Sequence, residues 1–348
     1  MKPFPRLTRD EEERATAIHL EAFVIDGLTV SSHSRQQFSK MIQGGVNAAN
    51  WTIAEPEHDF RQCIHDITSW YSLLRSNEDK TTFVVTARDI LQAKKEKKVG
   101  IIFGLQNAKP IGDEIGILQV LHRLGLRIIQ LTYNERNFIG DGAGEKTDCG
   151  LSSFGERVVE EMNRLGILID LSHCGSRTSI EAIELSKDPV VFSHAGTRRL
   201  CNSPRNKGDE ELKSIAEKGG LVGANAWGPV IWRKERQQPT IDDFLNHIDY
   251  LVRLIGVDHV GIGLDLSEGT GSQLSGAGEA EWEVYKAKYP QIIPPWLTVE
   301  MEYAAELKSH LQVPNITRGL VCRGYSDKEI RGILGANFLR IFEKVWKQ

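Results

Sequence analysis

Two short runs, GILIDLSH at residues 166–173 and PVVFSH at residues 189–194, are the most informative part of the sequence. Each is a short apolar run that ends in a histidine. Runs of this kind are typical of parallel strands that are buried on both faces. Because α/β barrel enzymes keep their chemistry at the carboxyl ends of such strands, we expect the imidazoles of His173 and His194 to meet there.

Two imidazoles at the ends of successive strands indicate a metal site. A single histidine at a strand end is more often a hydrogen-bonded structural residue. Neighbouring strands lie about 4.8 Å apart, so side chains from their ends can converge on one ion with bonds of about 2.0 Å. The pair therefore favours a metal-binding or catalytic role for His173 and His194 over a structural one.

The composition describes a chain that can bury a large core. It has 348 residues, of which 40% are hydrophobic, and this length suits one α/β barrel or two domains. No break in composition favours two. A net charge of -4 and a pI of about 6.2 argue against nucleic acid as a partner and favour a small molecule. Five scattered cysteines without a Cys-x-x-Cys pair argue against a disulfide framework.

The sequence gives no sign of a membrane segment. The amino terminus lacks the apolar region of a signal peptide, and no apolar stretch reaches the roughly 18 residues of a membrane-spanning helix. We expect a soluble, cytoplasmic protein without a membrane partner. A homodimer is left open.

Short β-branched runs alternate with amphipathic helical patterns, such as Ile241 to Ile255, along the whole chain. Eight such units predict a TIM-like (β/α)8 barrel formed by one domain, residues 1–348. A doubly wound open sheet is the alternative, although no Gly-x-Gly-x-x-Gly lies between a strand and a helix. A further run, Thr82 to Thr86, is expected outside the barrel. The predicted barrel strands are Phe23 to Val30, Val46 to Ile53, Val99 to Leu105, Leu126 to Tyr133, Ile167 to His173, Val190 to His194, Gly220 to Ala226 and His259 to Asp265.

Two segments depart from this alternation. Residues 267–297 are rich in Gly, Ser and Pro and contain Trp282 and Trp296, a composition that predicts an active-site loop after the last strand. The helical pattern at 326–346 is expected to close the barrel.

Several further stretches follow one another through most of the chain. They are LGLRIIQLTYN at 124–134, GLSSFG at 150–155, EMNRLGILIDLSH at 161–173, SH at 193–194, PRN at 204–206, GIGLD at 261–265 and GANFLR at 335–340. In this order they resemble the membrane dipeptidase (renal dipeptidase) family of the amidohydrolase superfamily. The resemblance implies a TIM-like barrel that carries two zinc ions and cleaves dipeptides.

The resemblance also implies roles for single residues. His173 and His194 match the two histidines that hold one zinc, and Arg205 matches the arginine that binds the substrate carboxylate. Asp265 matches the aspartate that acts as acid and base. Asn206 follows Arg205 in the same motif and is expected to bind substrate with it. Tyr133 stands where the family has a histidine that contacts the substrate, and its phenol can donate a hydrogen bond to a carbonyl oxygen.

The chain departs from the family at the other metal position. Where the family has DGHND, this chain has DGLTV at 26–30, so Leu28 and Val30 replace a histidine and an aspartate. Gln106 stands where the family has a metal-bridging glutamate. Because this position has no anionic ligand and gains two apolar side chains, we expect it to hold no metal.

The remaining metal position keeps two imidazoles, and Gln106 could add an amide oxygen. A catalytic zinc usually has three strong protein ligands, so the set is complete only if another residue such as Asp265 joins. The sequence therefore predicts at most one zinc ion.

Three functions are compatible with this site. The first is a divergent metal-dependent hydrolase of the family, acting on a dipeptide or a small carboxylate-bearing amide or amino-acid derivative. The second is a metal-free isomerase or lyase that transfers protons through Asp265, Tyr133 and the histidines. The third is a non-catalytic protein that binds a small acid. Arg205 fits all three and does not discriminate among them.

Overall fold

The computed structural model describes residues 7–270 and 278–347, and the sheet in this part of the chain consists of parallel strands. The strands are β1 (Ile25–Thr29), β2 (Ala48–Thr52), β3 (Thr81–Val84), β4 (Val99–Leu105), β5 (Leu126–Gln130), β6 (Leu168–Asp170), β7 (Val191–Ala195), β8 (Leu221–Ala224) and β9 (Val260–Ile262). Their order is β2-β1-β9-β8-β7-β6-β5-β4-β3, and β2 also pairs with β4. The pairing of β2 with β4 closes the sheet into a barrel.

The barrel has eight strands because β3 lies outside the closed ring. The first half of β4 pairs with β3 through residues 99–102, whereas its second half pairs with β5 through residues 103–105. On its other side β4 pairs with β2 along residues 100–104. The predicted (β/α)8 barrel is therefore confirmed, and residues 82–84 of the run at 82–86 belong to the extra strand β3.

Helices surround the barrel in the order expected of alternating strands and helices. The helix α10 (Ile241–Ile255) coincides with its predicted bounds. The other helices are α1 (Arg9–Glu21), α2 (Arg35–Gln43), α3 (Phe60–Ser76), α4 (Ala87–Lys95), α5 (Ile117–Arg123), α6 (Ser153–Leu165), α7 (Ser176–Leu185), α8 (Asp209–Glu217), α9 (Gly228–Ile231), α11 (Gly278–Lys288), α12 (Pro314–Cys322), α13 (Asp327–Arg331) and α14 (Asn337–Val345).

The carboxyl-terminal helix closes the amino-terminal end of the barrel. Phe338 and Phe342 of α14 are buried in one cluster with strand residues such as Ile25 and Ile128. Trp346 stacks on Phe342 with ring centroids 4.2 Å apart. Burying one such side chain stabilises the fold by about 1.5–3 kcal/mol. The cluster covers the end of the barrel opposite the site.

Several strands end earlier than the sequence predicts, and at β6 a side chain takes the place of the backbone hydrogen bonds of the strand. The predicted strand Ile167 to His173 stops at Asp170. There the Asp170 carboxylate accepts the backbone N–H groups of Ser172 and Ser193, each at 3.0 Å. His173 consequently lies in the turn after β6, whereas His194 lies within β7.

Two glycines let the strand that carries His194 sit deep in the barrel. A Cβ atom at Gly263 would lie 1.8 Å from the carbonyl oxygen of Ser193, and one at Gly223 would lie 2.0 Å from it. Because Cβ atoms do not approach an oxygen so closely, only glycine fits at these two positions. The GIGLD motif at 261–265 thus helps to place His194.

Other sequence expectations have mixed outcomes. All five cysteines are free thiols, as expected from their spacing. In the described ranges, no helix is long and apolar enough to cross a membrane. The predicted active-site loop at 267–297 contains α11, and its residues 271–277 lie outside the described part of the chain.

Candidate active site

A cavity of about 490 Å³ opens at the carboxyl ends of the barrel strands. The sequence-predicted residues that line it are Gln106, Tyr133, His173, Arg205 and Asp265. Residues from the loops after β4, β5, β6, β7 and β9 therefore meet at one place. This is the position at which barrel enzymes assemble their catalytic groups.

The two predicted metal ligands face each other beside the cavity. The Nε2 atoms of His173 and His194 lie 3.0 Å apart. Two imidazole nitrogens that share a tetrahedral zinc ion, with bonds of about 2.0–2.1 Å, are separated by roughly 3.3 Å. The observed separation is therefore close to that of a pair bound to one metal ion.

The hydrogen bonds behind the rings fix where their protons lie. His173 Nδ1 is 2.7 Å from the amide oxygen of Asn134, which can only accept, so Nδ1 carries the proton. Ser193 donates its single hydroxyl hydrogen to Asp170. Its hydroxyl oxygen, 2.8 Å from His194 Nδ1, therefore accepts a hydrogen bond from that nitrogen. Both Nε2 atoms are left as lone pairs directed at one another. This arrangement presents two metal-ligating nitrogens.

The charges around the pair keep the imidazoles neutral. Burial lowers the pKa of both rings well below the ordinary value, and the positive charges of Arg205 and Lys207 lower both further. A neutral imidazole is the form that binds a metal.

His173 and His194 could supply two of the ligands of one metal ion. Among the described residues, no group of three or more His, Cys, Asp or Glu side chains is placed to hold a metal. A third ligand would have to come from an amide, from water or from substrate. The side-chain amide of Gln106 donates a hydrogen bond from Nε2 to Thr52 Oγ1 at 3.0 Å. The side-chain carbonyl oxygen of Gln106 is thereby left available as a ligand.

The family's other metal position does not fit a cation in this chain. Val30 lines the cavity with an apolar side chain. Leu28 is buried with 2% of its surface exposed and does not line the cavity. An apolar wall cannot replace the carboxylate and imidazole that would balance a divalent charge.

Arg205 brings a buried positive charge to the cavity. The side chain is 1% exposed, and one of its terminal nitrogens donates a hydrogen bond to the carbonyl oxygen of Ser172. Its Nε has no hydrogen-bond partner in the described part of the chain. A buried donor without a partner is costly, and a carboxylate bound in the cavity would satisfy it.

Asp265 is buried beside Arg205, and the pKa of its carboxyl is shifted toward neutral pH. Burial raises the pKa of its carboxyl to about 7, against the opposing effects of Arg205 and a hydrogen bond from Asn225. Its backbone has a φ of 58°, a left-handed conformation that is uncommon for residues other than glycine. Such strain often occurs at active sites, where it directs a side chain at the reacting groups.

The ring of Tyr133 stacks on that of His173, and its hydroxyl contacts the hydroxyl of Tyr285. Its ring lies 4.2 Å from that of His173 at an interplanar angle of 18°. Its hydroxyl is 2.9 Å from the hydroxyl of Tyr285, which α11 carries into the cavity. Tyr133 therefore joins the histidine pair to the segment after the last strand.

Asn206 does not line the cavity, although the sequence groups it with Arg205. Its Nδ2 donates hydrogen bonds to the carbonyl oxygens of Cys201 and Val230, both at 2.8 Å. The side chain is completely buried. In this structure Asn206 holds the loop that carries Arg205, and its expected contact with substrate stays a prediction.

Asp26 belongs to a buried charged cluster beside the site. It is completely buried, and its Oδ1 accepts the backbone N–H of Leu264 at 2.8 Å, which ties β1 to the segment before Asp265. His310 Nε2 lies 3.1 Å from its Oδ2, and Glu268 approaches the other ring nitrogen at 3.7 Å. Burial lowers the pKa of His310, but the carboxylates of Asp26 and Glu268 together outweigh it and raise that pKa above its ordinary value.

Several cavity residues were not found from the sequence. Tyr285 and Glu302 come from segments far along the chain, and Glu302 accepts a hydrogen bond from Ser267 at 3.2 Å. His58 and Asp66 line the outer cavity and are joined by a 2.6 Å contact. Only Tyr285 had a signal, because it lies within the predicted active-site loop.

The closed barrel, with a cavity at the carboxyl ends of its strands, is a fold of the amidohydrolase type. The sequence profile of the membrane dipeptidase family (Peptidase family M19) matches residues 14–286. The chain belongs to this family and is, by that resemblance, a dipeptidase-family hydrolase.

Individual relatives agree with this assignment. Uncharacterized dipeptidase C965.12 of Schizosaccharomyces pombe is 30% identical over 267 residues, which are 75% of this chain and 57% of that protein. Dipeptidase tcpJ of Claviceps purpurea is 24% identical over 321 residues, covering 88% of this chain and 68% of that protein. An amidohydrolase from Pseudomonas aeruginosa has a similar structure, with a TM-score of 0.85 and 36% identity, and the match covers 96% of this chain and 99% of that one.

Proposed function

We propose that this protein is a divergent hydrolase of the family that acts on a small carboxylate-bearing amide or amino-acid derivative with at most one zinc ion. The observation that carries the proposal is the pair of Nε2 lone pairs of His173 and His194, 3.0 Å apart, next to a cavity that also contains Arg205 and Asp265. The pair can hold one ion, and the position next to Val30 lacks the ligands for another.

Arg205 supplies the binding site for the substrate carboxylate. The guanidinium is fixed by its bond to the Ser172 carbonyl and retains an unpaired Nε. A planar fork of donors suits a carboxylate, and a charged hydrogen bond is stronger in a buried site than in water. The substrate is thereby oriented with its amide toward the histidines.

Asp265 moves the proton of the reaction. A carboxyl with a pKa of about 7 can take a proton from the attacking water and return it to the leaving amine. Its hydrogen bond from Asn225 Nδ2, at 3.2 Å, holds the carboxyl in place. A zinc ion held by His173 and His194, when bound, would supply Lewis acidity toward a carbonyl oxygen or a water.

Simple L-dipeptides are expected to be poor substrates. Hydrolysis in the family, as the resemblance implies, relies on a water held between two metals, and Leu28 and Val30 remove the ligands of one of them. We expect turnover of an unmodified L-dipeptide far below the roughly 10 per second of a typical enzyme.

A metal-free proton transfer is the second candidate. The observation that favours it is the combination of Asp265, with a pKa of about 7, and the Tyr133 phenol in one cavity. A carboxyl base and a phenol donor are together sufficient for an isomerisation or elimination next to a carbonyl group.

Kinetics with and without metal distinguish the candidates. Protein stripped by a chelator and reloaded with zinc is assayed on N-acyl amino acids and on dipeptides. The hydrolase proposal expects amide cleavage that is lost on stripping and restored by one equivalent of zinc. Cleavage that is indifferent to metal contradicts it. Binding of N-acyl amino acids with no cleavage under any metal condition also contradicts it and favours the non-catalytic protein.

A further inference from the structure

We propose that Tyr285, carried by the helix α11, is a catalytic residue that donates a hydrogen bond to the substrate oxygen on which negative charge develops. This inference rests on the proposed hydrolase function and extends its active site to a segment that follows the last barrel strand. Tyr285 lines the cavity together with Tyr133 and Asp265.

The geometry of the two phenols leaves one hydrogen for a ligand. The hydroxyl oxygens of Tyr133 and Tyr285 lie 2.9 Å apart, so one hydroxyl donates to the other. The accepting phenol then has its own hydrogen free to point elsewhere. In the described part of the chain, no other hydrogen bond is recorded for either hydroxyl. The pair can therefore present one donor to a molecule in the cavity.

Both phenols remain protonated in the working pH range. Burial raises the pKa of the Tyr285 hydroxyl to about 12 and that of Tyr133 above its ordinary value. A neutral phenol donates a hydrogen bond without adding a negative charge near the substrate. This is the property required of a group that stabilises an oxyanion.

The pair also lies where the reaction would take place. Tyr133 stacks on His173 with ring centroids 4.2 Å apart. Tyr285 lines the same cavity as His173, Arg205 and Asp265. The phenol pair therefore shares one cavity with the groups proposed to bind and protonate the substrate.

Contacts with barrel loops hold α11 in this position. Lys288, the last residue of the helix, forms ion pairs with Glu57 at 3.1 Å and with Glu135 at 3.7 Å. The Tyr285 ring packs edge-on against Trp227 with centroids 6.2 Å apart. The hydroxyl of Tyr285 is thus positioned before a substrate arrives, which a stabilising donor requires.

The test compares two ligands of the full-length protein by titration calorimetry. One probe is N-acetylalanine, with a planar amide next to its carboxylate-bearing carbon, and the other is its phosphinate isostere, with a tetrahedral charged oxygen. A donor aimed at developing charge favours the phosphinate. We expect Tyr285→Phe to weaken phosphinate binding by about 10-fold to 100-fold and N-acetylalanine binding by less than about threefold. Tyr289→Phe, a neighbouring phenol outside the cavity lining, should change neither.

The outcomes separate the two proposals. Unchanged phosphinate binding in Tyr285→Phe, or an equal loss for both probes, overturns the role of Tyr285 and leaves the hydrolase proposal intact. Failure of the wild-type protein to prefer the phosphinate overturns both. If Tyr285→Phe does not fold, Tyr133→Phe is measured instead, since it removes the other half of the pair and should produce the same selective loss. A loss that is equal for both probes in that variant overturns the role of the pair.

Discussion

The Nε2 atoms of His173 and His194 lie 3.0 Å apart with both Nδ1 protons committed elsewhere. Two lone pairs at this distance repel each other unless a cation lies between or beside them. The rings are nevertheless held in this position by the hydrogen bonds of Asn134 and Ser193. The pair is therefore built to receive a cation rather than to bond with itself.

Removing the hydrogen bonds behind the histidines should weaken metal binding without removing a ligand. In Ser193→Ala, His194 Nδ1 loses its acceptor, so the ring is no longer held in the ligating orientation. We expect the zinc dissociation constant to rise by about 10-fold to 100-fold, measured by competition with a chelating dye. His33→Ala, which changes an exposed histidine at the cavity wall, is the control and should bind zinc as the wild type does. An unchanged constant in Ser193→Ala would refute this reading of the pair.

Replacing Arg205 by lysine should weaken carboxylate binding while keeping the charge. Lysine cannot reproduce the planar fork of donors, so we expect a loss of about 1–3 kcal/mol in the binding of an N-acyl amino acid, measured by calorimetry. The control is Arg198→Lys, in the same loop but outside the cavity lining. Equal effects of the two substitutions would show that the loop, rather than the Arg205 fork, determines affinity.

Changing Asp265 to asparagine should spare binding and reduce turnover by about 100-fold or more, because an amide cannot accept the proton. In the wild type, kcat/KM should rise with pH and level off above a pKa of about 7, since the deprotonated carboxyl is the active base. The measurement is a pH–rate profile from pH 5 to 9. Glu55→Gln, at an exposed cavity carboxyl, should keep both the rate and the profile. Full turnover in Asp265→Asn would exclude Asp265 as the base.

His310 should stabilise the fold in a pH-dependent way. Its pKa is raised in the folded protein by Asp26 and Glu268, so its contribution is fully present below the unfolded pKa of about 6.5 and is lost as the pH rises through the raised value. We expect His310→Gln to lower the free energy of unfolding by about 3–5 kcal/mol at pH 6 and by less at pH 9, measured by urea denaturation. His65→Gln, at an exposed histidine, should have little effect at either pH. A loss that is the same at both pH values would mean that His310 contributes by packing alone.

The sequence predicts the barrel well because its strands are local patterns. The apolar runs before His173 and His194 are each complete within eight residues, and their order along the chain determines the order in the sheet. Strand ends are predicted less accurately. β6 ends at Asp170 because its side-chain carboxylate, rather than a backbone carbonyl, accepts the N–H groups of Ser172 and Ser193. No local sequence pattern predicts that a side chain will take this role.

The site is predicted only where a motif contains it. Arg205 and Asp265 belong to short motifs and line the cavity as expected, whereas Asn206, from the same motif as Arg205, binds the backbone of its own loop. His310 pairs with Asp26 across 284 positions of the chain, a distance over which periodicity gives no information. Tyr285 was detectable only as part of an unusual segment.

The most direct test of the account is the number of tightly bound divalent ions per chain. Untagged protein is dialysed against metal-free buffer and its zinc, manganese, cobalt, nickel and iron are determined by elemental analysis alongside the protein concentration. We predict no more than one ion per chain after reconstitution with zinc, and none in His173→Ala or His194→Ala, because these imidazoles supply its fixed ligands. Two zinc ions per chain that resist dialysis would contradict the account, since they would require ligands that Leu28, Val30 and Gln106 do not provide.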